Sequence, residues 1–393
     1  MTAMVIPTSD VDLFADEHLD DPYPVHRDLR DQGASVWLTR HRVWAIPRYA
    51  EVRDVLRDHE RFSSASGVGL NPEANAMRKG TIIATDPPEH TVLRSILADR
   101  LVPRALRSVR ADIEARAVDL VDRLVARTEF DAVADLARRF PLDVVADLIG
   151  LPEEGRDQLL PLADSAFNSF GPLNDRGRAG LDAWARQRAY LQQVATRDRL
   201  RPGGFGADLY EAADRGLIDP QSSLALMGAY LTAGMDTTVN TISSAIWLLA
   251  DHPDQWQLVR TSTEMLRAAV NEVLRMETPV QAFARVTTTD VELDGVHVPA
   301  GERVVVLYGS ANRDERKWRD PDRFDITRNP VDHVGFGYGA HGCAGQGLAR
   351  IEIEALLAAL AQRVERFEAG RPVRHLNNVI RGLERLPVRL VVA

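Results

Sequence analysis

The strongest pattern in the chain is a run over residues 222–252, SSLALMGAYLTAGMDTTVNTISSAIWLLADH, whose apolar positions recur with the helical period. At 1.5 Å per residue the run predicts a central helix roughly 47 Å long. That length could cross a bilayer, but Asp236, two threonines and Asn240 occupy its middle, where a charge in lipid is strongly unfavourable. A buried helix in a water-soluble core is therefore expected. The surrounding stretch from about 86 to 265 reads almost wholly as helix, divided by Pro and Gly at LIGLPEEG, SFGPLNDRG and RPGGFG. Upstream, residues 10–60 mix helical spacing with SVWLTRHRVWAIPRY, whose alternation about a polar Arg-His-Arg centre predicts a strand pair.

Downstream, MLRAAVNEVLRME is a further helix, and TTTDVELDGVHVPAGERVVVLYG alternates around Asp294-Gly295 and Ala300-Gly301 as short hairpins. A long irregular stretch then leads to GQGLARIEIEALLAALAQRVERF, read as one uninterrupted amphipathic helix that begins near Ala344. Irregular segments of that length usually carry function. The expectation is a mainly α protein forming one domain over 1–393, with a small β-rich region from residues 34–49, 287–308 and the C-terminal strands.

With 45% hydrophobic and 27% charged residues the chain falls outside the disordered and fibrous classes. A formal charge of -9 argues against nucleic acid as a partner, which calls for a basic footprint. The N-terminus, MTAMVIPTSDVDLFADEHLDD, has no basic region followed by a long apolar stretch, so cytoplasm is the default location and no membrane partner is expected. A single cysteine, Cys343, excludes an internal disulfide.

That cysteine lies in HVGFGYGAHGCAG, residues 333–345. Gly337, Gly339 and Gly342 also spell G-x-G-x-x-G, but a dinucleotide site needs a strand before the glycines and an acid about 20 positions later at the end of a second strand. Both are missing. Glycines let a backbone pass close to a flat ligand, and a helix starting just after Cys343 would stabilise a thiolate there. An inert core cysteine fits the same residues.

The string Phe336-x-x-Gly339-x-x-x-Cys343-x-Gly345, with His341 two before the cysteine, resembles the haem-binding loop of the cytochrome P450 monooxygenases. Three further motifs fall in that family's order, and the resemblance covers essentially the whole chain. It implies the cytochrome P450 fold, a triangular helix-rich domain, and haem b (iron protoporphyrin IX) ligated by Cys343 within a loop that includes Gly337. NEVLR matches the family's E-x-x-R motif, so Glu272 and Arg275, able to face one another on a helix, are implied to clamp the haem side. TAGMDTT matches the distal-helix motif: Ala233 and Gly234 would border the haem, Asp236 would gate proton delivery, and Thr237 would hold water or dioxygen. On residue logic alone, a mid-helix threonine often bonds back to a carbonyl, whereas an acid in so apolar a helix demands a partner or a purpose. DPPEHTVLR matches the third-helix motif, which implies His90 and Arg94 as propionate contacts, completed by Arg285 and His341.

The implied reaction inserts one atom of dioxygen into a C–H bond while the other leaves as water. Electrons would come from NAD(P)H through a reductase and a ferredoxin, since one cysteine cannot hold an iron–sulfur cluster. RSILADRLVPRALRSVR gathers Arg94, Arg100, Arg104, Arg107 and Arg110, a basic concentration suited to an acidic ferredoxin or to an ordinary solvated face beside Asp99 and Asp112.

In detail the chain looks most similar to the bacterial members that oxidatively demethylate para-methoxybenzoate and related small aromatic acids. Phe167 and Phe170 match the pair that packs on the ring there, and Val280 and Phe283 fall in a similar segment. Arg78 and Thr81 have the spacing of that group's carboxylate-binding arginine and serine. The loop onward to Asp86 is one residue shorter, however, Ala229 replaces a serine of the long helix, and Ala284 replaces a second aromatic. The carboxylate anchor is thus open, with a neutral methoxyphenol as an alternative. Hydroxylation of a larger terpenoid or macrolide, and a non-catalytic haem sensor, complete the options.

Overall fold

Asp219 accepts a hydrogen bond from the Gln221 amide at 3.4 Å and Pro220 takes the first helical position. These residues start the longest helix, Pro220–Asp251, in the computed structural model, which describes residues 6–392. The second half of this helix is buried on nearly all sides. Its polar residues are met internally: Thr238 donates to the Gly234 carbonyl at 3.0 Å and Thr241 to that of Thr237 at 2.8 Å. Helices Arg139–Ile149, Leu159–Phe167 and Phe205–Asp214 pack around it. One apolar cluster, including Val145, Leu159, Leu209, Ile242 and Leu356, runs through the group. No helix among the described residues is long and apolar enough to cross a membrane.

The expected strand pair is Val36–Leu38 with Val43–Ile46, antiparallel, with Trp37 opposite Trp44. It belongs to a six-stranded sheet that continues through Arg303–Leu307, Ala282–Thr287 and Phe62–Ser63, with Thr8–Ser9 at the other edge. The strand that carries Arg285 therefore starts at Ala282, earlier than the pattern predicts. Asp294 and Gly295 turn the hairpin Val291–Leu293/Val296–Val298, both with positive φ, whereas the hairpin expected at Ala300-Gly301 does not form, because Arg303–Leu307 pairs inside the large sheet with Val43–Ile46 and Ala282–Thr287.

The structure corrects the sequence reading at three further points. First, the helix after the cysteine spans Gln346–Ala361, and Val364–Ala369 is a strand. There Val364 and Phe367 turn inward against Pro387–Val392, and burial in that sheet overrides the helical spacing. Second, Glu129–Asp131 is a strand inside the stretch read as helix, pairing with Pro387–Val392. Third, the C-terminal strands do not join the large sheet: Val373–Leu376 and Arg381–Arg385 form a separate hairpin, which packs on the long helix.

Candidate active site

The cysteine loop is shaped by what its glycines touch. Gly339 has φ +71°, and a Cβ there would fall 2.2 Å from the Leu56 carbonyl oxygen, so no other residue fits without displacing the helix Tyr49–Arg57. A Cβ on Gly335 would come within 2.8 Å of the Leu274 carbonyl, which brings the loop against the helix Thr263–Met276. The Cys343 amide donates to the Phe336 carbonyl at 2.8 Å and closes the loop. Burial pushes the Cys343 thiol up, while the amides of Gly345 and Gln346 and the charge of Arg94 oppose it. The helix Gln346–Ala361 thus begins at the sulfur.

Around His341 of the loop stand His90 and Arg94, one turn apart on the helix Glu89–Ala98, and Arg285 from its strand, and the charge of Arg94 also faces Cys343. The His90 and His341 rings lie 4.2 Å apart. His341 Nε2 is buried without a hydrogen-bond partner among the described residues, and Asp86 Oδ1, at 3.9 Å, is too distant to serve. Burial, then the charges of Arg285 and His90, pull its imidazole down to about 3. Among the described residues neither Arg94 nor Arg285 has an acidic partner, and Arg285 donates at 2.7 Å to the carbonyl of the residue before it. This is a set of donors and cations that lacks its anions.

The long helix exposes Ala233 in mid-run and leaves Gly234 half-buried, although Met235 and Asp236 beside them are buried. The Thr237 hydroxyl donates to the Ala233 carbonyl at 2.8 Å. Asp236 turns to the other side, where Asn240 Nδ2 reaches its carbonyl at 2.8 Å and its Oδ1 at 3.2 Å, and Oδ2 has no partner among the described residues. Burial, with the charge of Asp164 adding, pushes its carboxyl up to about 8.

Glu272 and Arg275 are fully buried and joined by two bonds of 2.7 Å. The guanidinium also donates to the carbonyls of Asn312 and Pro321, at 2.8 Å each. Glu272 accepts from the Asp325 amide at 3.0 Å. The pair therefore ties the helix before the cysteine loop to the irregular segment that leads into it.

A second cluster gathers Phe167, Phe170, Val280 and Phe283 with Val68, Val379 and Ile380. Phe170 meets Phe167 at 6.0 Å and Phe283 edge-on at 5.2 Å between centroids. Arg78, 5% exposed, lies with its guanidinium 4.3 Å over Phe170 and 5.4 Å from Trp184. Its Nη2 donates to Ser169 Oγ at 2.7 Å, no acid pairs with it among the described residues, and burial lowers it to about 10. The Thr81 hydroxyl is committed to the Arg78 carbonyl at 2.7 Å, so Ser169 supplies the hydroxyl beside the guanidinium. Ala229 packs in the larger core, one turn before Ala233, and not with the aromatic cluster.

Sequence reasoning missed Ser169, Trp184, Val379 and Ile380. Ser169 sits between the two phenylalanines, where its spacing was a usable signal; Trp184 carries none. The basic stretch also divides. Arg94 points inward to Cys343, Arg100 pairs with Asp208 at 2.5 Å and Arg110 with Glu114 at 3.4 Å. Arg104 and Arg107 alone of the five stay exposed with no acidic partner among the described residues.

Among the described residues no group of three His, Cys, Asp or Glu side chains could hold a bare metal ion. An iron bound by Cys343 would have to bring further ligands of its own, and a flat macrocycle with two carboxylates would suit Arg94 and Arg285, which have no acidic partner among the described residues, and the nearby donors of His90 and His341. The cytochrome P450 family model matches residues 211–378. The chain is 44% identical to cytochrome P450 CYP199A2 of Rhodopseudomonas palustris, over 99% of this chain and 95% of that one. It is 32% identical to the cytochrome P450 monooxygenase PikC of Streptomyces venezuelae, over 98% and 94%. The solved structure of Mycobacterium marinum cytochrome P450 CYP268A2 in complex with pseudoionone matches the fold with a TM-score of 0.87 at 28% identity, over 99% of this chain and all of that one. The chain belongs to the cytochrome P450 family, monooxygenases whose haem b is held by a cysteine thiolate.

Proposed function

We propose that this monooxygenase acts on a small aromatic acid bearing a methoxy group and removes the methyl group. The buried guanidinium of Arg78, stacked on Phe170 and without an acid among the described residues, carries the reading. Burying an arginine without a counter-charge is unfavourable, and a carboxylate brought by the substrate would relieve it. Phe167, Phe170, Phe283 and Val280 offer an apolar slot matched to one ring. When bound, the haem supplies reductive activation of dioxygen, so that a hydroxylated methoxy carbon leaves as formaldehyde.

The chain's own contribution is placement and proton control. Cys343 would ligate the iron, with its sulfur next to the amides of Gly345 and Gln346. His90, Arg94, Arg285 and His341 would take the propionates. Thr237 offers a hydroxyl at the accessible stretch of the long helix, and Asp236, held protonated near neutrality, is the acid that can pass a proton to it. Electrons would arrive from a ferredoxin and its NAD(P)H-dependent reductase, docked at Arg104 and Arg107.

A methoxyphenol is the second reading, because Thr81 is engaged with backbone and Ala229 has no hydroxyl, which leaves few donors for a carboxylate. Titration of the iron spin state with para-methoxybenzoate, its methyl ester and para-methoxyphenol tests both. The acid is expected to bind tightest and to release formaldehyde on turnover; an ester or phenol that binds equally well refutes the carboxylate anchor.

A further inference from the structure

We propose that His375 and Asp164 form the outer section of the path that brings protons to Asp236. This rests on the reading of Asp236 as the proton-handling acid. His375, on the strand Val373–Leu376, places Nε2 2.8 Å from Asp164 Oδ1 and Nδ1 3.0 Å from Glu384 Oε2. Side-chain exposure is 49% at Glu384, 21% at His375 and 25% at Asp164, and Asp236 is 4% exposed. One end meets solvent and the other is sealed.

The hairpin is seated on the long helix by a contact only glycine permits. His375 pairs in register with Gly382, and a Cβ on Gly382 would lie 1.6 Å from Asn240 Oδ1. Asn240 in turn holds Asp236. Asn377 fixes Asp164 from the hairpin turn, through its carbonyl at 3.0 Å and Oδ1 at 3.2 Å. The charges facing Asp236 are those of Asp164, from the helix Leu159–Phe167, His375, from the hairpin, and Arg138, which is itself 3.5 Å from Glu384. Asp164 favours the protonated acid; His375 and Arg138 favour its ionisation. Their opposition leaves Asp236 near the point where it both gives and takes a proton.

Each proton that leaves Asp236 is replaced by one passed from Nε2 of His375 to Asp164; because Asp164 and Asp236 share no hydrogen bond among the described residues, the last transfer, to Oδ2 of Asp236, goes through a water molecule, and the ring recovers its proton from water at the Glu384 side. No electron moves along this chain. The established reaction consumes two protons for each dioxygen cleaved, so the supply acts on every turnover.

The holoenzyme and its variants His375→Gln, Asp164→Asn and Asp236→Asn test the assignment. In the reduced carbonyl form, NMR should find His375 titrating above 6.5, and lower in Asp164→Asn. Infrared difference spectra should show the Asp236 carboxyl titrating lower in Asp164→Asn and higher in His375→Gln. Both variants should form product about tenfold more slowly, with a larger solvent deuterium isotope effect and unchanged substrate binding. Wild-type rates and isotope effects in both, beside a slow Asp236→Asn, overturn the relay and leave Asp236 its role. A wild-type-like Asp236→Asn overturns both readings.

Discussion

Glu277 receives Arg381 at 3.0 Å on the same oxygen that receives Arg374 at 2.8 Å, and Arg313 approaches the other oxygen at 3.5 Å. Burial alone would raise this carboxyl, but the three guanidiniums more than reverse it, so Glu277 titrates below its ordinary value near 4.5. A depressed folded value means that its stabilisation is fully present above the ordinary value and is lost as pH falls through the lowered one. Glu277→Gln would leave buried arginines uncompensated, at a cost of about 3–5 kcal/mol at neutral pH. Denaturant titration should show that gap at pH 7 and its shrinkage below the ordinary carboxylate range; a gap independent of pH would contradict the linkage.

Gly339→Ala combines a left-handed backbone with a Cβ 2.2 Å from a carbonyl oxygen. The strain of about 1–3 kcal/mol falls on the cysteine loop, with the displacement of Leu56 added to it. Haem content per chain and the red-shifted Soret band of the reduced carbonyl form should both drop. Retention of a full complement would show that the loop can move away from Leu56.

Arg78→Met keeps length and apolar contact with Phe170 but removes the charge. Affinity for para-methoxybenzoate should fall by about 10- to 100-fold, equivalent to ~1.5–3 kcal/mol for hydrogen bonds to a charged group. Affinity for para-methoxyphenol should change little. Spin-state titrations of both ligands measure the difference, and equal losses for the two would assign Arg78 a purely packing role.

Charge reversal at Arg104 and Arg107 should slow reduction by an acidic ferredoxin about tenfold at low ionic strength and less at high salt. Arg100 is a poorer choice, because its pairing with Asp208 means that reversal also disturbs the helix Phe205–Asp214. Stopped-flow reduction across salt concentrations is the measurement, and a salt-independent, unchanged rate would move the docking surface elsewhere.

Much of this site was legible because its parts are local in sequence. Cys343 and its glycines, Glu272 with Arg275, and Ala233 through Thr237 each lie within one turn or loop, where spacing fixes geometry. The surroundings of Arg78 were less legible. Ser169 beside Arg78, and Trp184 across from it, come from helices 91 and 106 residues away, and no local periodicity encodes such pairing. Gln346–Ala361 ran on too far in the sequence reading because Val364 and Phe367 satisfy helical and strand spacing alike. Their partner strand at Pro387–Val392 decides between the two.

The C-terminal hairpin serves two walls at once. Its turn sends Val379 and Ile380 into the aromatic cluster, and its strands carry His375 and Gly382 against the long helix. On the proposed substrate slot and proton relay, remodelling the turn to admit a bulkier substrate would also shift how efficiently reducing equivalents end up in product rather than in peroxide, so an engineering campaign that scores only selectivity would drift in coupling.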